Sequence, residues 1–200
     1  SSFTLSGALV QTWSDKSGVG NHFEKGAHNN PPDRITNILN GKAGVVYTSG
    51  EGLLSASSFV LAQPMSMFVV MSVKSDAGDY EGVFDSDTNH GVQWHPGVGA
   101  AGGLRVPFGA GSFPNDGHGV AVDTPYYHTF VINGASSYSR KQSVAGFTNV
   151  NPGSDGFSGQ IGIGFVPGVG KSLTTDSYIC EIIVYNSALS TIDRDGIEAY

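Results

Sequence analysis

The 200 residues carry a formal net charge of −7, with 17 Asp and Glu against 10 Lys and Arg, and 14% of positions are charged. No run of Lys or Arg occurs, which argues against nucleic acid and an anionic membrane surface as partners, since both are held through clustered cations; no transmembrane run is present, so no membrane insertion is expected. The length fits one all-β domain better than two, and 29 glycines among many Ser, Thr and Asn imply short strands joined by tight turns.

In chain order, period-two patterns predict strands at "ALVQTW" (8–13), "GVVYTS" (44–49) and, most clearly, "PMSMFVVMSVK" (64–74). In the last, Met65, Met67, Val69, Met71 and Val73 share one face, and a mostly apolar second face suggests a central strand. Further strands are expected at "EGVFDS" (81–86), "GVQWH" (91–95), "GLRVPF" (103–108), "YYHTFVIN" (126–133), "GQIGIGF" (159–165) and "SYICEIIVY" (177–185). Turn signals such as "LNGK", "INGA" and "NPGSDG" separate them. Helical signal is confined to "LSTIDRDGIEAY", where Ser190 and Asp193 have a capping-box spacing and Ile192, Ile197 and Tyr200 could lie against a sheet. The single cysteine, Cys180, cannot form an internal disulfide and reads as a small hydrophobe in a strand. The chain opens without a signal-peptide pattern, which suits a mature extracellular domain or a virion protein equally well.

"GIGFVPGVGKS" (162–172) looks at first like a phosphate loop. Position 165, where the motif needs its first glycine, is Phe165, and strand rather than helix follows Lys171. The stretch is read as a hairpin with Gly168 and Gly170 in its turn.

Three ordered stretches resemble the concanavalin A-like lectin/glucanase superfamily, in particular its laminin G-like branch. "TWSDKSGVGNHFEKG" supplies Trp13, Asp15, Ser17, Gly18, Gly20 and Asn21; "NGKAGVVYTSGEGLL" follows; "YICEIIVYNSALSTIDRDGIEAY" closes the chain. The resemblance implies an all-β, two-sheet antiparallel jelly-roll sandwich with a short C-terminal helix. Residues 1–200 then form a single domain, compatible with being part of a longer polypeptide, and the first motif is expected to be a structural corner.

The chemistry points away from catalysis. Hydrolases of this fold carry paired carboxylates on one strand, and no such array occurs; Glu181, Glu51 and Glu81 lack close acidic neighbours along the chain. A polysaccharide lyase could draw on Tyr126, His128 and Arg105, but a Tyr-x-His pair is common on ordinary strands. "FDSDTNH" offers Asp85, Asp87 and Asn89 to calcium; without the glycine and distal glutamate of an EF-hand loop it reads better as a solvated hairpin tip. No cofactor and no metal is expected. A carbohydrate face built from aromatic and polar groups would use Trp94, His95, Arg105, Tyr126, Tyr127 and His128, with a buried Trp94 as the competing reading. The expected partner is a glycan or a neighbouring virion or cell-surface protein, and an oligomer is compatible with either. The corresponding functions are a non-catalytic recognition or attachment module and a structural virion protein.

Overall fold

The computed structural model describes every residue except 1–2, 27–29, 75–79, 87–89, 96–102, 107, 109–122 and 174–175. The strands are β1 (Phe3–Ser6), β2 (Leu9–Trp13), β3 (Phe23–Glu24), β4 (Asp33–Leu39), β5 (Lys42–Tyr47), β6 (Leu53–Ser55), β7 (Met65–Ser72), β8 (Glu81–Asp85) and β9 (Gly91–His95). They continue with β10 (Gly103–Arg105), β11 (Tyr126–Ile132), β12 (Ser137–Lys141), β13 (Val144–Val150), β14 (Gly162–Ile163), β15 (Phe165–Val166), β16 (Lys171–Ser172) and β17 (Ser177–Tyr185). One helix, α1 (Thr191–Glu198), follows. Among the described residues every strand pairing is antiparallel.

Fifteen strands form a continuous sheet in the order β10-β9-β8-β14-β6-β3-β2-β4-β5-β17-β7-β11-β12-β13, with β1 on β2, while β15 and β16 pair separately. The long sheet folds over itself into a jelly-roll sandwich, because both of its halves send alternate side chains into the same core. From β7 come Met65, Met67, Val69 and Met71, all at most 1% exposed. Opposite them in register, β11 supplies Tyr126, His128, Phe130 and Ile132. From the other half come Phe84, Val92, Trp94, Leu104 and Ile163, which join the same cluster. The aliphatic, Met and Phe side chains among these contribute roughly 1.5–3 kcal/mol each on burial. Cys180 lies half-buried at the bulge of β17, where burial first, and the Glu181 charge second, push its thiol up to about 11. Among the described residues no helix is long and apolar enough to cross a membrane.

The C-terminal helix forms where its cap spacing places it. Ser190 Oγ accepts from Asp193 N–H at 3.2 Å and donates to the Asp193 carboxylate at 2.6 Å. Its facing departs from the sequence expectation: Ile192 and Tyr200 are 84% and 91% exposed. A polar clamp sets the orientation instead. The Glu198 carboxylate accepts from Thr129 Oγ1 (2.6 Å), Ser143 Oγ (2.9 Å) and Arg140 Nη2 (2.9 Å), and the Arg194 guanidinium lies 4.3 Å from the Tyr138 ring centre. With Arg194 and Glu198 turned toward the sheet, Ile192 is carried outward.

Candidate functional site

The six residues expected to line one ligand face are distributed over three environments. Trp94 is fully buried, Tyr126 is 3% exposed and His128 is fully buried. All three point between the sheets. His128 stacks on Phe130 at 5.7 Å and meets Tyr126 edge-on at 4.8 Å. The aromatic platform expected of Trp94 and Tyr126 is therefore part of the core, where large rings bury the most area. Tyr127 is half-buried on the outer face of β11, its hydroxyl 2.9 Å from Ser143 Oγ beside the helix clamp. Only His95 and Arg105 share a surface, the outer face of β8, β9 and β10.

That surface is built by register. Gln93 sits between Gly82 of β8 and Arg105 of β10, and His95 stands opposite Gly103. A shift in pairing between Gly82 and Phe84 brings Phe84 opposite Val92 on the core side and Asp85 opposite Gly91 on the outer side. Gln93 Nε2 donates to Asp85 Oδ2 at 2.6 Å, a short hydrogen bond between residues that are 5% and 0% exposed. Asp85 fits because Gly91 has no side chain; a Cβ there would stand 2.4 Å from Asp85 Cγ. His95 and Arg105, both half-buried, share the outer face with this pair. Gln93 was not among the residues singled out by sequence. Its link to Asp85 spans eight positions across a hairpin, a spacing with no local signature.

The β15–β16 hairpin supplies the neighbouring wall. Gly168 and Gly170 have φ of 78° and 72°, the left-handed turn values that glycine adopts without penalty. The hairpin seats on glycines: a Cβ at Gly82 would lie 2.4 Å from the Phe165 carbonyl carbon, and one at Gly162 would lie 2.5 Å from its oxygen. Lys171 Nζ sits 5.8 Å from the Tyr80 ring centre. The glycine-rich stretch is thus a packed hairpin.

Among the described residues no group of three or more His, Cys, Asp and Glu could hold a metal ion. Asp87 and Asn89, weighed with Asp85 for calcium, lie outside the described residues. On β8, Glu81 is paired with Trp94 on the core side and Asp85 lies on the outer side, so the two acids of that strand face opposite ways. Tyr126 and His128 face inward while Arg105 is on an outer face, so the three residues considered for a lyase do not converge.

No protein-family model matches the sequence, and no match is found among curated proteins. Solved structures do match. Domain 4 of AbnA, a GH43 extracellular arabinanase from Geobacillus stearothermophilus solved with arabinotriose, superposes with a TM-score of 0.65 at 15% identity, covering 88% of each chain. The Trypanosoma rangeli sialidase gives 0.60 at 11% identity, covering 98% of this chain and 33% of that one; the chain spans about a third of the sialidase's length. The heptameric SAP-like pentraxin of Limulus polyphemus gives 0.57 at 11% identity, covering 82% and 80%. These likenesses show the fold alone, a β-sandwich of the kind the sequence motifs imply.

Proposed function

We propose that residues 1–200 act as one non-catalytic carbohydrate-recognition module of a secreted, cell-surface or virion protein. The observation that carries this reading is the polar group on the outer face of β8–β10. There a buried Asp85–Gln93 hydrogen bond anchors the group, and His95 and Arg105 share the same face of the sheet. Such a face offers directional donors to sugar hydroxyls, which is how a few placed polar groups give a binding site its orientation. Likeness to an arabinanase domain solved with arabinotriose supports it at the level of fold. The divergent facing of Glu81 and Asp85 supports a binding role over two-carboxylate hydrolysis, where both groups must flank one bond. A structural virion role would call for a broad apolar contact face. Among the described residues the most exposed large hydrophobics, Val19, Val60, Val144, Ile192 and Tyr200, instead come from four separate segments of the chain.

A glycan-array screen of the purified domain, with calcium and again with chelator, tests the proposal. Binding to a defined neutral sugar is expected in both buffers, and Arg105→Ala should lower it without changing the melting temperature. A blank array in both buffers would turn the reading to protein contacts.

A further inference from the structure

A row of aromatic side chains runs along the rim formed by β1, β2, β3 and the segment after β6. Phe3 and Trp13 have ring centres 5.3 Å apart, Trp13 pairs across the strands with Phe23, and Phe23 meets Phe59 edge-on at 6.5 Å. All four are half-buried, packed against the core from its edge while keeping part of their surface in water. Arg34 of β4 ends the row, its guanidinium carbon 5.9 Å from the Phe3 ring centre.

The position of Arg34 is the informative part. In register it pairs with Val45, whose side chain is in the core, so Arg34 shares the aromatic side of the strand. Its acidic neighbours do not. Asp33 pairs with Val46 and Leu9, and Glu24 with Thr12, all on the other face. Among the described residues the Arg34 guanidinium has no ion pair and no hydrogen-bond acceptor, and its one contact of this kind is the Phe3 ring. A half-buried guanidinium held over a ring keeps its planar fork of N–H donors directed at whatever approaches. The backbone beneath is fixed: Arg34 N–H donates to Ala8 carbonyl at 2.8 Å, and the loop after Trp13 is pinned through Asp15.

We propose that this rim is a second ligand site, selective for an acidic oligosaccharide. A carboxylate or sulfate would pair with Arg34 in two-pronged fashion, and the apolar faces of the sugar rings would lie on Phe3 and Trp13. A neutral chain would leave the guanidinium unpaired. In a chain of net charge −7, a cation on an aromatic face with no acidic partner among the described residues favours an anionic ligand over a neutral one. The site uses strands other than β8–β10, so it stands or falls independently of the outer-face reading.

Trp94 is fully buried and Trp13 half-exposed, so tryptophan emission reports on this rim. The test is a fluorescence titration of the intact domain with oligogalacturonate, with a sulfated galactose oligosaccharide and with a neutral galactose oligosaccharide. At least one acidic ligand should shift or quench the emission, weakening as salt is raised, while the neutral one does not; the responding acid distinguishes carboxylate from sulfate. Arg34→Gln should weaken that binding about tenfold or more, as expected for loss of a charged hydrogen-bonding group, with an unchanged melting temperature. Arg34→Lys should recover part of it, and Arg105→Ala should leave it unaltered. No response to either acid, an equal response to the neutral sugar, or an unchanged Arg34→Gln titration would overturn the proposal.

Discussion

At Asp15, one carboxylate organises an entire corner. It accepts from Ser17 N–H (2.8 Å), Ser17 Oγ–H (2.7 Å), Gly20 N–H (3.1 Å) and Asn21 N–H (3.0 Å), while His22 Nδ1 accepts from Asp15 N–H (3.1 Å). Partial burial alone would raise its pKa, but these donors together outweigh that and hold it below the usual carboxylate value. The sign follows directly. A folded-state pKa below the unfolded one adds stability that is present above the unfolded value and lost as pH falls through the folded one. Asp15→Asn should therefore lower stability at pH 7 by about 1 kcal/mol, or ~2–4 °C in Tm. The gap to the parent should close in strong acid. Thermal melts of both proteins at neutral and acid pH check this, and an Asn variant as stable as the parent at pH 7 would contradict it. This corner was legible because every partner lies within seven positions of Asp15. The inward facing of Tyr126 and His128 was not, and a buried Trp94 stood beside the ligand-face reading as its competitor. Period two says which residues share a face, but Trp, Tyr and His suit either the core or the surface, so composition could not say which face was buried.

Among elements, the easiest to read were those with a strong apolar rhythm. β7 places its Met and Val side chains as the alternation implies, and β17 spans "SYICEIIVY" as expected. The longer strands that escaped notice are polar or marginal: β4 is "DRITNIL", β12 "SYSRK" and β13 "VAGFTNV", and the short β1, β3, β6 and β16 escaped with them. Such strands are held by ladder hydrogen bonds to a neighbour more than by burial, so their signal lies outside the segment. The β15–β16 hairpin gives a test at this scale. Gly82→Ala would drive a methyl into the Phe165 backbone at 2.4 Å, a contact that backbone cannot yield cheaply. The expected cost is ~1–3 kcal/mol, read as a lower denaturant midpoint with an unaltered slope. Gly18→Ala, whose Cβ would meet nothing within 4 Å, controls for the loss of glycine alone, its own penalty being confined to a positive φ of 84°. Equal stability of Gly82→Ala and the parent would show that the hairpin does not rest on β8.

For the molecule as a whole, the sandwich sorts its chemistry by face. The interior takes the methionines together with Trp94, Tyr126 and His128. One outer face carries the helix clamp of Arg140 and Glu198, with Tyr127 beside it. The other carries Asp85, Gln93, His95 and Arg105. The fold was legible because its motifs recur in order along nearly the whole chain. The outer-face group became visible only once the register of β8, β9 and β10 was known, since it joins side chains from separate strands. The measurement that tests the central claim most directly is a backbone amide NMR titration with the sugar selected on the array. Shifts centred on Gln93, His95, Gly103 and Arg105, reduced in Arg105→Ala, are the predicted result. Shifts confined to Tyr127 and the helix clamp, with β9 and β10 unmoved, would contradict it.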